Sequence, residues 1–202
     1  MNFIRNRNFR AGPQTSLEGF ICPQNSDKQQ KIKVFGRSVG GAFWEKFIKV
    51  LVHERGFVYL LWLRLTSVKS PIRPFFWLIY HHLSSKYGIQ ISTNTNIGPG
   101  LYIGHGCGII INPTAKIGKN VSLSQFLTIG SNKGKAATIE DNVYMGPSVC
   151  LIEDVTIGHD SQIGAGSVVT KDIPPFSVAV GNPAKVIKKY NLTTKMWEKQ
   201  IN

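Results

Sequence analysis

The stretch IEDNVYMGPSVCLIEDVTIGHDSQIGAGSVV, residues 139–169, decides the fold. An apolar side chain returns at every sixth position: Ile139, Met145, Leu151, Ile157, Ile163 and Val169. An earlier run, Ile97, Ile103, Ile117, Leu123 and Ile129, follows the same phase with one step missing. A period of six is neither the helical 3.6 nor the alternation of a flat strand. It matches a two-residue strand followed by a turn, laid down repeatedly as the coils of a parallel β-helix. Three such units make one coil, and each coil buries its apolar corner only against its neighbours. The Gly, Asn or Asp that follows takes the corner, where a left-handed backbone is often required. An all-β sandwich would not hold this phase over so many steps.

Two departures interrupt the period. Fourteen residues separate Ile103 from Ile117, read as one normal step to Ile109 and an eight-residue step through Asn112-Pro113. Ten separate Ile129 from Ile139, so about four residues within 131–137 must leave the repeat as a loop.

Working outward, residues 177–180 (SVAV) read as a last strand after the stiff exit Lys171-Asp172-Ile173-Pro174-Pro175. The β-helix is expected over 89–185, with 186–202 a polar, basic, partly helical tail. Upstream, Phe43, Phe47, Val50, Leu51, Phe57, Val58, Leu61 and Leu65 recur at helical spacing, with a break at Gly56. Residues 75–86 (FFWLIYHHLSSK) form a further helix ended at Gly88. Residues 41–88 are therefore a helical region, and 1–40, without sustained periodicity, a basic and mobile arm. The expected class is mainly β: a parallel β-helix with a short helical region before it and a short tail after it.

The chain has 202 residues and a formal net charge of +13. Residues 1–40 carry seven Lys/Arg against two Asp/Glu, 41–90 the same, and 91–202 ten against seven. The basic excess thus sits in the first ninety residues and suits an anionic surface. The aromatic helices can pack on the β-helix or a neighbouring subunit, or make peripheral contact with a membrane. No nucleic-acid module is recognisable. Three scattered cysteines, Cys22, Cys107 and Cys150, form neither a disulfide framework nor a metal cluster, so no metal is expected. No secretory leader or run long enough to span a bilayer is present, so a cytoplasmic location is expected, at the inner face of the membrane if the basic helices touch it.

The repeat domain has few reactive groups. His105 stands among glycines in Ile103-Gly104-His105-Gly106-Cys107-Gly108, where a substrate can approach closely. An imidazole there can take a proton from an attacking hydroxyl, or be an exposed corner residue. Cys107 is a small interior residue or a nucleophile. The loop Ser131-Asn132-Lys133-Gly134-Lys135 is a solvated surface or an anion contact. Gly164-Ala165-Gly166-Ser167 presents small side chains as a smooth strip, with Lys171, Lys185, Lys188 and Lys189 close in sequence to hold phosphates.

IGPGLYIGHGCGIII (97–111), SLSQFLTIGSN (122–132), the segment 139–175 and VAVGNPAKVIK (178–188) resemble, in order, the hexapeptide-repeat acyltransferases, and among them the serine O-acetyltransferase branch. The resemblance implies a left-handed β-helix, a homotrimer with sites between adjacent β-helices, and acetyl-CoA as the acetyl donor. It places the catalytic base on His105, the coenzyme groove on Gly146, Gly164, Ala165, Ser167 and Lys171, and Lys185 near the phosphates.

The acceptor side departs from the serine enzymes. Their Asp fifteen residues before the histidine is absent from the context Gln90-Ile91-Ser92-Thr93. Gly104 stands where they have Asp, and Lys135-Ala136-Ala137 where they have Arg-His-Pro. Gln90 and the short helical start resemble the colanic-acid and capsule-type sugar acetyltransferases. On that basis the expected activity is O-acetylation of a small or lipid-linked saccharide in surface polysaccharide synthesis, with Gln90 and Lys135 at the acceptor. L-serine acetylation and a non-catalytic β-helix scaffold are the alternatives.

Overall fold

A computed structural model describes residues 54–200, all within one compact unit, Glu45–Asn202. The expected arm over 1–40, Cys22 and the first part of the expected helical region lie outside the described residues.

Two helices come first: α1, Arg55–Leu65, and α2, Arg73–Tyr87. Pro74 opens α2, where a missing N–H costs nothing, and Gly88 closes it in a left-handed conformation. Fourteen short strands then wind the β-helix: β1 Gln90–Ile91, β2 Asn96–Ile97, β3 Tyr102–Ile103, β4 Ile110–Ile111, β5 Lys116–Ile117, β6 Ser122–Leu123, β7 Thr128–Gly130, β8 Thr138–Ile139, β9 Tyr144–Met145, β10 Cys150–Ile152, β11 Thr156–Ile157, β12 Gln162–Ile163, β13 Val168–Val169 and β14 Ser177–Val180. Every third strand stacks in parallel up to β13, and β14 follows β12 after the isolated bridge Ile157–Ile173, giving three sheets: β1-β4-β7-β10-β13, β2-β5-β8-β11 and β3-β6-β9-β12-β14. We call them the first, second and third sheet. The mainly-β, parallel β-helical class expected from the period is the fold observed. Its core is the inward column of each sheet, including Ile91, Ile111, Ile129, Leu151 and Val169 in the first.

The strand register moves one interruption. Ile103 pairs with Leu123, twenty residues on, whereas Ile110 pairs with Thr128, eighteen on. The two additional residues therefore lie between β3 and β4. The step through Asn112-Pro113 is regular, because Ile111 to Ile117 is six. The sequence reading placed the insertion too late because Ile109 and Ile111 both face inward. They are two apart on one strand face, so a period of apolar residues cannot choose between them. The second interruption is where it was expected: Lys116 pairs with Thr138, twenty-two on, with the loop between β7 and β8.

The tail is not helical. Strands β15, Lys185–Asn191, and β16, Met196–Lys199, add antiparallel to β14 and extend the third sheet. They pair the otherwise open backbone edge of β14, and Tyr190 packs edge-on against Trp197 across the two strands, 5.3 Å between centroids.

The opposite end is closed by the helices. Along the first coil alternate residues turn their backbone groups toward the second coil, as Gln90 does in donating to the Ile109 carbonyl at 2.7 Å, and the residues between them, Ile89 and Ile91, turn theirs toward the open end. The Tyr80 hydroxyl donates to the carbonyl of Ile91, and Tyr59 donates to that of Ile89 at 3.5 Å. Arg64 donates to the carbonyls of Ile97 and Gly98 at 3.2 and 2.9 Å. Burial pushes the Tyr59 phenol far above its ordinary pKa. Gly56 lies in the first turn of α1 rather than breaking a helix: a Cβ there would stand 2.1 Å from the Ile103 carbonyl oxygen. Phe57, Val68, Ile72, Phe75, Trp77 and Leu78 remain exposed on the helical hairpin. Among the described residues no helix is long and apolar enough to cross a membrane.

Candidate active site

The corner between the third and first sheets repeats down the molecule. Gly108, Phe126, Ser148 and Gly166 occupy equivalent positions in successive coils, all with φ between 57° and 68°. Gly104 N–H donates to the Leu123 carbonyl at 2.8 Å, and Phe126 N–H to that of Cys107 at 3.1 Å. Between these bonds the first coil holds Gly104, His105, Gly106 and Cys107; the second holds only Ser124 and Gln125. His105 and Gly106 are thus the inserted pair, and both have a left-handed backbone, φ 61° and 46°. A two-residue bulge of this kind pushes its side chain out of the ladder. His105 is exposed, and its ring has no hydrogen-bond partner among the described residues. Gly106 lies under the start of α1: a Cβ on it would stand 2.7 Å from Gly56 N and 2.9 Å from the Arg55 Cβ.

Beside the bulge runs a column of small residues. The bonds Gly104→Leu123, Ser124→Met145, Gly146→Ile163 and Gly164→Ala179, all 2.8–3.1 Å, place Gly104, Ser124, Gly146, Gly164 and Val180 one above another. A Cβ on Gly146 would come 2.7 Å from Ala165 N, so that row closes only with glycine. Gly166 has nothing within 4 Å of where a Cβ would be, so the strip beside Ala165 is open. Lys185 pairs with Val180 and stands at the far end. At about 4.8 Å per row, Lys185 is roughly 24 Å from the level of His105. Gly146, Gly164, Ala165 and Lys185 therefore share one line with His105.

Four expected site residues do not. Ser167 is fully buried; its hydroxyl donates to the Gly164 carbonyl at 2.7 Å and accepts from Gly181 N–H at 3.1 Å. It braces the strip from inside and offers no side chain to a ligand, an inward orientation that Gly-Ser spacing does not reveal. Lys171 follows β13, at the corner between the first and second sheets. Lys135 lies at that same corner, in the loop after β7, whereas the His105 bulge precedes β4 of the same sheet. One chain therefore holds His105 and Lys135 at opposite ends of the first sheet. Gln90 is exposed on that sheet's outer face, paired with Ile110.

The loop is held by a carboxylate that sequence reasoning did not single out. Glu153 accepts from Ser131 Oγ at 2.9 Å and from the N–H groups of Asn132 and Lys133 at 3.3 Å. These donors, the Asn132 N–H foremost, hold its carboxyl below the usual glutamate range. Lys135 Nζ is 3.8 Å from Asp154, both well exposed, a pair of little energetic weight. Among the described residues no group of three or more His, Cys, Asp or Glu could hold a metal ion.

Comparison with known proteins bears on this geometry. The family model "Bacterial transferase hexapeptide (six repeats)" matches residues 136–171. The serine acetyltransferase of Bacillus subtilis (strain 168) is 35% identical over 150 residues, covering 72% of this chain and 62% of the relative. The soybean serine acetyltransferase complexed with serine superposes with a TM-score of 0.61 at 29% identity, over 69% of this chain and 60% of that one. The Neisseria gonorrhoeae serine acetyltransferase in complex with serine gives 0.61 at 25% identity, over 81% and 71%. The match spans between 29% and 62% of the length of four such curated relatives. The chain carries the hexapeptide repeat of bacterial transferases and has serine acetyltransferases as homologues. These relatives overturn the expectation of a saccharide acceptor in polysaccharide synthesis. That leaning rested on Gln90, a short helical start and the departures at Gly104 and Lys135-Ala136-Ala137, whereas the likeness to the serine enzymes extends through the β-helix.

Proposed function

We propose that the protein is an acetyl-CoA-dependent O-acetyltransferase whose acceptor is the hydroxyl of L-serine. The observation that carries this reading is the His105 bulge: the repeat is broken to expose one imidazole at the head of a column of rows whose last member, Val180, pairs with Lys185. The serine acetyltransferase homologues support the acceptor and the chemistry.

In this reading the coenzyme lies along Gly146, Gly164 and Ala165 with its phosphates toward Lys185 and its thioester beside His105. The neutral imidazole takes the serine hydroxyl proton as the oxygen attacks the thioester carbonyl. The tetrahedral intermediate collapses, the C–S bond breaks, and the thiolate leaving group takes the proton back from the imidazolium. No enzyme-bound acyl group forms, so Cys107 is not needed. The opposite placement of His105 and Lys135 supports a site completed between two copies in a homotrimer, with Lys135 of one copy meeting the carboxylate of serine held at His105 of the next. A lysine there is a single point charge without the fork of an arginine.

The test is a steady-state assay with acetyl-CoA and L-serine, in parallel with other hydroxyl acceptors. Turnover of serine that His105→Ala lowers by about 10²-fold or more is expected. Efficient turnover of another acceptor with none of serine, or full activity in His105→Ala, would overturn the reading.

A further inference from the structure

We propose that Gln125 is the positioning residue of His105: its side-chain oxygen accepts a hydrogen bond from one ring N–H and so fixes the tautomer that leaves the other nitrogen free as base. The inference rests on the reading of His105 as the base. A general base needs its second nitrogen held, because the partner of that nitrogen decides which one carries the proton. Two unpartnered groups stand on adjacent coils, with no hydrogen bond between them in this structure. The His105 ring has no partner among the described residues. Gln125 Oε1 is buried without a donor, one of two such side-chain atoms among the described residues; the other is Thr95 Oγ1. Buried acceptors are normally satisfied, so an orphan of this kind calls for a cause.

The register brings the two together. The bonds Gly104→Leu123 and Phe126→Cys107 bracket both segments, so the bulge of the first coil sits directly on Ser124-Gln125 of the second, one strand spacing away. A neutral amide oxygen can orient an imidazole without adding a charge. Among the described residues the titratable groups around the bulge are Glu54 and Arg55 at the start of α1, Tyr87 at the end of α2, whose carbonyl accepts from Gly108 N–H, and Tyr102 and Cys107 on the bulge's own segment. The corner below it, Ser124 to Leu127, has none. Glu54 is the one carboxylate in this set and is the rival orienting group.

Gln125→Met keeps the volume and removes the acceptor; Gln125→Glu replaces a neutral oxygen with a carboxylate. Two measurements on the full chain decide. In the acetyl-CoA and L-serine assay, Gln125→Met is expected to lower kcat about tenfold or more, with both KM values within about twofold. Gln125→Glu is expected to move the acid limb of the kcat/KM profile up by roughly one pH unit, since a neighbouring carboxylate favours the imidazolium. Independently of any acceptor, nitrogen-15 NMR of His105 is expected to show a changed tautomer ratio in Gln125→Met and a raised pKa in Gln125→Glu. Unaltered His105 resonances in both variants would overturn the proposal. So would a change produced by Glu54→Gln and by neither Gln125 variant, which would assign orientation to the helix cap. An inactive parent with the expected NMR changes would leave the positioning role standing and remove the L-serine reading.

Discussion

One repeat is interrupted twice, and the two interruptions behave differently. The pair His105-Gly106 leaves the coil at its capped end. It is pressed by Gly106 against α1, and its imidazole has no partner among the described residues. The four-residue loop after β7 leaves a middle coil and is pinned from below by Glu153 through three hydrogen bonds. A short insertion cannot satisfy itself and so presents a reactive group. A longer one can fold back on the next coil and becomes a wall. The regular corners below, at Phe126, Ser148 and Gly166, show what the chain does when nothing is inserted.

Deleting His105 and Gly106 together tests the contrast most severely. The step from β3 to β4 would become the ordinary six, so the parallel sheets are expected to persist by circular dichroism. Acetyl transfer should fall by 10²-fold or more. Collapse of the fold would mean that the bulge is structural rather than an addition to a complete coil. A core change separates stability from chemistry. Met145→Ala, fully buried between equivalent corners, should cost about 2–5 kcal/mol in chemical denaturation. At temperatures where the variant stays folded, its turnover should be unchanged within about twofold.

The wall has smaller expected effects. Lys135→Ala should raise the KM for serine several-fold, on the order of 1 kcal/mol, with kcat little changed. If the site lies between copies, mixing inactive His105→Ala with Lys135→Ala should restore some sites of normal affinity. No gain on mixing would place the two residues' roles within one chain. Smallest is Glu153. Its carboxyl is depressed in the folded state, so the order it lends the loop is fully present above the unfolded glutamate pKa of about 4.3 and is lost as pH falls through the lower folded value. Hydrogen exchange at Asn132 and Lys133 should speed up in acid and, at neutral pH, in Glu153→Gln, with the melting temperature nearly unchanged.

Much of this was legible beforehand because inward residues at a corner must be apolar. Ile139, Met145, Leu151, Ile157, Ile163 and Val169 named the solenoid, and the ten-residue gap after Ile129 named the loop. The first insertion was misplaced by one step because Ile109 and Ile111 are equally buried. The tail was read as partly helical although Val186 to Lys199 pairs as two strands; the demand for pairing comes from the free edge of β14, a neighbour the local sequence does not display. Ser167 looked like a groove residue by its small size, and its hydroxyl turned inward to brace Gly164 and Gly181. The acceptor was misjudged because a few departures, at Gln90, Gly104 and Lys135-Ala136-Ala137, were given more weight than the long β-helical likeness.

What the sequence determined by itself is the coil: a period of six makes one face apolar wherever the chain turns, so the β-helix and its looped interruption follow from local residue types. What only the tertiary structure decided is which residues meet. The stacking register assigns the insertion to His105-Gly106, seats it on Gln125, aligns Gly146 and Gly164 with Lys185, and sends Lys135 to another corner. Those relations depend on pairings between coils, sixteen to twenty-two residues apart, and on the last hairpin that adds Lys185 beside Val180, which no local pattern encodes.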